Sequence, residues 1–170
     1  MTDSDDPAAC ETPLVRRPVL PDLAAARLLG PAEFVEASWQ ALLLGWRAAR
    51  DHYQVRRPDR PYPPVVPLLQ AAYAHPRLRR LHPFTSHHSL NLSSCTEHPY
   101  LVQVPSVDPM ADGRFRVRSA RSADVIGWAD TAGEAVALVA AHIPPGLGPA
   151  VAGADITQAV ASGSRRPPSP

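Results

Sequence analysis

Lysine does not occur in this sequence; all 17 basic residues are arginines. That absence excludes a lysine Schiff base and the covalent attachment of pyridoxal phosphate. It also excludes the P-loop lysine of nucleotide hydrolases and the strand lysine of protein kinases. Cysteine is scarce: Cys10 lies in an acidic N-terminal stretch and Cys95 near the middle of the chain. Two such residues do not make a disulfide framework. No run approaches the roughly 18 consecutive apolar residues of a membrane span. The opening "MTDSDDPAAC" lacks the apolar centre of a secretory signal, so a cytoplasmic protein with no membrane partner is expected. A net charge of +1 supplies no basic field, and nucleic acid is not an expected partner. There is no G-x-S-x-G, no H-E-x-x-H and no paired-cysteine motif. "GLGPA" has only two glycines, with proline where a helix would continue, so it is no nucleotide fingerprint. Neither a cofactor nor a metal is assigned.

The 45% hydrophobic content is enough for a core, and 170 residues suit one domain with tails. Residues 1–20 are polar and broken by proline and read as a disordered tail. Residues 21–150 read as a single α+β domain, and 151–170 as a flexible tail rich in proline and serine. Asp22 is a plausible N-cap for a short helix that Gly30 ends. Pro31 then opens the strongest element, a helix of about 20 residues. Its apolar stripe is Val35, Trp39, Leu42, Trp46, Ala49 and Tyr53, in steps of four and three. The two tryptophans share that stripe, which reads as core packing and not as a ligand box. A further helix is expected over about 65–75, stopped near His75-Pro76.

Four strands are expected next, over 84–93, 100–107, 114–120 and 124–129. Asp112-Gly113 marks a hairpin between the second and third. "TAGE" places Thr131 at an N-cap with Glu134 three residues on, the capping box of a last helix. The order predicts an α+β sandwich: a four-stranded antiparallel sheet with helices packed on one face.

Within the first of these strands, "FTSHHSLNLSS" carries two adjacent histidines among hydroxyl side chains. Alternation puts Phe84, Ser86, His88, Leu90 and Leu92 on one face. Thr85, His87, Ser89, Asn91 and Ser93 share the other, polar face. His87 is suited to general acid or base work because imidazole titrates near working pH. Ser86 would act with it, and Thr85 would orient a substrate. Two other chemistries use Cys95: a metal held by His87, Cys95 and His98, or a cysteine nucleophile with His87 or His98 as its base. The plain alternative is a solvated polar sheet face. Arg114, Arg116 and Arg118 recur at strand spacing and form a ladder. Like charges in a row repel unless anions answer them, so the ladder reads either as a binding element for an acidic group or as a charged, soluble edge strand.

Three stretches together carry a resemblance: "PAEFVEASWQALL", "AAYAHPRLRRLHPFTSHHSLNLS" and "DTAGEAVALVAAHIPPGLGPAVAG". They resemble a family of actinobacterial proteins grouped with natural-product biosynthesis. The likeness runs from roughly residue 30 to 153 and is most specific at Pro83–His87 and at "PPGLGPA". In the family's pattern a bulkier, often aromatic residue follows the histidine; this chain has His88 there. The resemblance implies a place in a biosynthetic gene cluster, and the excess of alanine, arginine and proline over lysine fits a GC-rich coding bias.

The expected function is an accessory or tailoring protein acting on a peptide or polyketide-like intermediate. As an enzyme it would be a cofactor-free cyclase or isomerase, with His87 and Ser86 catalytic and Thr85, Arg114, Arg116 and Arg118 binding substrate. The rival is a non-catalytic partner that holds a pathway enzyme or precursor peptide.

Overall fold

A computed structural model describes residues 17–122 and 124–153; the terminal-tail expectations for 1–16 and 154–170, Cys10 included, lie outside the described residues. Helix α1 (Leu23–Leu29) begins where expected, because Asp22 Oδ1 accepts hydrogen bonds from the amides of Ala24 and Ala25, each at 3.0 Å. Gly30, at φ 132°, turns the chain into α2 (Pro31–Arg56). At 26 residues α2 is longer than its periodic stripe, since nothing breaks it before Pro58. Trp39 anchors it: the indole is fully buried and donates to the carbonyls of Arg79 and Leu81 at 3.0 and 3.2 Å. The core reading of that tryptophan is correct, whereas Trp46, two turns on, is half-buried. Helix α3 (Val65–Ala74) and a 3-10 turn (Leu78–Arg80) follow.

Among the described residues the sheet has five strands, not four, and all are antiparallel in the order β1-β2-β3-β4-β5. The difference lies in the histidine stretch. It is not one strand but a hairpin of β1 (His82–Ser86) and β2 (Ser89–Ser93), with His87 and His88 as its turn. His87 takes φ 56°, the left-handed conformation that a tight hairpin turn requires at its first central residue. The turn exchanges the faces of odd and even positions, but Phe84, Leu90 and Leu92 all stand at even positions, so the sequence showed no break in its alternation. Leu90 and Leu92 do face the core, as alternation placed them. The turn reverses the assignment upstream. Thr85 pairs with Leu90 and lies on the helix side, while Phe84 and Ser86, opposite Asn91 and Ser89, lie on the outer side.

Of the expected second strand, 100–107, only Ser106 and Val107 fall in a strand, β3 (Ser106–Pro109); residues 100–105 are irregular, with a single bridge from Val102 to Ser93. Pro105 has no amide to give a central ladder, which accounts for the late start. β3 and β4 (Phe115–Arg118) form the expected hairpin, with Gly113 at φ 89° in the turn. β4 lies between β3 and β5 (Val125–Ala129), so it is an interior strand and the edge-strand explanation of its arginines fails. α4 (Ala132–Ala141) opens on the expected capping box: Glu134 N donates to Thr131 Oγ1 at 3.2 Å, and Thr131 N to Glu134 Oε2 at 3.1 Å.

Helices α2, α3 and α4 pack on one face of the sheet. The core between the layers is Trp39, Leu43, Leu68, Leu69 and Val139 against Leu90, Leu92, Val107, Phe115 and Val117. The α+β sandwich therefore holds. Gly127 lets α4 come close to β5: a Cβ there would lie 2.6 Å from Leu138 Cδ2.

Candidate functional site

The residues expected to act together fall into separate places. Ser86 and His87 are exposed at the tip of the β1–β2 hairpin. His88 beside them turns towards the helix layer, its ring 5.3 Å from that of Trp46 and 6.1 Å from Tyr62. Thr85 is partly buried under the same helix, and its hydroxyl accepts a hydrogen bond from Trp46 Nε1 at 3.3 Å. It is thus occupied in packing and does not share a face with the arginines. Cys95 is buried, with its thiol donating to the Glu97 carbonyl and accepting from the Glu97 amide, both at 3.3 Å. His98 is exposed, its ring 5.8 Å from Tyr100. His87, Cys95 and His98 do not converge: among the described residues no three histidine, cysteine or acidic side chains do.

The arginine ladder is on the outer face, and its anion comes from within the chain. Asp108 on β3 stands opposite Arg116 on β4 and is itself buried. Its Oδ2 accepts from Arg116 Nε at 3.0 Å and from Arg118 Nε at 2.7 Å; Oδ1 accepts from Arg118 NH2 at 3.0 Å and from the Ser89 hydroxyl. Burial would raise the Asp108 carboxyl, but the hydrogen bonds from Arg118, Ser89 and Arg116 outweigh it and hold the group below the usual carboxylate range. One carboxylate thus answers two guanidinium groups, both partly open to solvent. Arg114 pairs with Asp112 in the hairpin turn at 2.9 Å and lies over the Trp128 ring, 5.1 Å from its centre.

Trp128 is opposite Arg116 on β5 and is 49% exposed. In the fold the core-facing positions of β5 are Gly127 and Ala129, whose partners are Val117 and Phe115, and Trp128 points the other way. Val125, opposite Arg118, is also exposed. The outer face therefore presents an indole, a valine and three guanidinium groups over β4 and β5. At its β1–β2 end it is covered, where Tyr100 stacks on Phe84 with ring centres 4.6 Å apart. Asp108 had no signal in the sequence, because only the β3–β4 register brings it to the ladder.

The profile of a family of unknown function, DUF6193, matches residues 33–154. No curated protein and no solved structure matches the chain. Among the described residues no helix is long and apolar enough to cross a membrane. The match takes in α2 through α4, with the sheet and its outer face, and on that basis the chain belongs to the DUF6193 family.

Proposed function

We propose that this is a non-catalytic accessory protein of specialised-metabolite biosynthesis in an actinobacterium, working in the cytoplasm, and that its outer sheet face docks an acidic peptide segment of a precursor or pathway enzyme. One observation carries the reading: Trp128 lies exposed beside three arginines that, among the described residues, share only Asp108 and Asp112. An exposed aromatic flanked by guanidinium groups is the composition of a binding hot spot. Incoming carboxylates fit the guanidinium fork, and the indole supplies desolvated area.

The cofactor-free cyclase or isomerase reading has less support. It needs His87, Ser86, Thr85 and the arginines around one substrate, and they occupy the hairpin tip, the underside of Trp46 and the outer face respectively.

The two readings separate in one experiment. The protein is co-expressed with its pathway neighbours, complexes are isolated and the product is followed by mass spectrometry. Arg116→Glu and Trp128→Ala should each weaken the complex at least about tenfold, the equivalent of 1.4 kcal/mol, while His87→Ala leaves it intact. Loss of product on His87→Ala with the complex unchanged would overturn docking in favour of catalysis.

A further inference from the structure

A recess of about 440 Å³ lies between the first turns of α2, the 3-10 turn and the segment 149–151. Pro31, Val35 and Val151 give it apolar walls, and Glu36, Arg79 and Arg80 are its charged groups. That volume falls at the lower end of small-molecule clefts. The walls are held from outside: Ala150 N donates to the Arg80 carbonyl at 2.9 Å and Val151 N to that of Ser94 at 3.0 Å.

The charges are arranged, not scattered. The Glu36 carboxylate accepts from the Tyr73 hydroxyl, from Gln40 Nε2 at 3.1 Å and from Arg79 NH2 at 3.3 Å. The Tyr73 hydrogen bond is the main reason its carboxyl stays below the usual range; burial pulls the other way. Arg79 also lies over the Tyr73 ring, 4.8 Å from its centre. Glu36 is therefore committed to Arg79. Arg80 has no carboxylate within ion-pair distance among the described residues. The recess has an apolar interior and one cation to spare.

We propose that this recess binds a small monocarboxylate with an apolar body, the carboxylate meeting Arg80 beside Arg79 and the hydrocarbon or aryl part resting on Pro31, Val35 and Val151. A cationic ligand is disfavoured because the one available carboxylate is already paired. None of these residues lies on the outer sheet face, so the site does not depend on the docking reading.

The test is calorimetric titration of the full chain with octanoate and benzoate, with octanol and octylamine as uncharged and cationic controls. At least one carboxylate should bind saturably, at least tenfold tighter than either control. Arg80→Ala should weaken that binding at least tenfold with the melting temperature unchanged, and Arg80→Lys should retain most of it. Ala32→Trp, an exposed position that lines the recess, should block binding by filling it. The proposal is overturned if neither carboxylate saturates, if octylamine binds as tightly, or if Arg80→Ala and Ala32→Trp leave affinity unchanged.

Discussion

Acid should act first at His82, the opening residue of β1. Its ring is stacked on Phe34 at 5.3 Å and tilted against Tyr100 at 5.2 Å. The residue is only 5% exposed and Nδ1 has no hydrogen-bond partner among the described residues. Burial chiefly, and the nearby Arg27 guanidinium secondarily, push the imidazole down from 6.5 to about 4. A depressed histidine contributes its full stability above the unfolded value. The contribution is lost as pH falls from 6.5 towards 4, because the unfolded chain takes up a proton that the fold refuses. At roughly 1.4 kcal/mol per unit the complete loss comes to about 3 kcal/mol, a large share of the 5–15 kcal/mol typical of a domain.

The comparison is wild type against His82→Phe, which keeps a flat ring and removes the unpaired nitrogen. Urea unfolding followed by tryptophan fluorescence at pH 7, 5.5 and 4.5 supplies the stabilities. Wild type should lose about 2 kcal/mol by pH 4.5 from this group, and the variant should lose distinctly less. The Asp108 and Glu36 carboxyls are both held below their ordinary values, so their own losses come at lower pH. Parallel decline of the two proteins over this interval would show that His82 is not the acid-sensitive group.

Three further expectations follow from the sheet. Asp108→Asn should cost about 2 kcal/mol in the same urea assay, less than the removal of a fully buried partner because both arginines keep partial access to water. A loss below about 0.5 kcal/mol would refute the carboxylate's role as the ladder's anion. Gly127→Val should cost at least about 2 kcal/mol by overpacking against Leu138, and Leu138→Ala in the same chain should recover part of it; additive losses would contradict the close approach. His87→Gly should raise stability by about 0.5 kcal/mol by relieving the left-handed backbone, and a fall in melting temperature would argue against that turn geometry.

The helices were the legible part of this chain, because their signals are local. Asp22, Gly30 and the Thr131–Glu134 capping box each act within four residues of themselves, and each marks a boundary where the fold has one. The β1–β2 turn was hidden because histidine carries none of the turn chemistry of glycine or asparagine. Along the sequence the apolar residues also keep to even positions on both sides of the bend, although the faces exchange there. The candidate surface was half legible. Arginines at every second position did mark a ladder, but what it faces depends on register and strand order. Asp108, Ser89 and Trp128 join it only through pairings across β2–β5, which no spacing along the chain encodes.

Neighbour order in the sheet repeats order along the chain, with no crossover between strands. During synthesis the sheet can therefore grow one hairpin at a time, each new strand closing onto the last. The roof over its far side arrives only afterwards: α4, which packs on β4 and β5, is the last helix among the described residues. Until Thr131 and the turns beyond it leave the ribosome, Phe115, Val117 and Ala129 remain wet. A chain stopped short of that point would be sticky where the finished molecule is sealed.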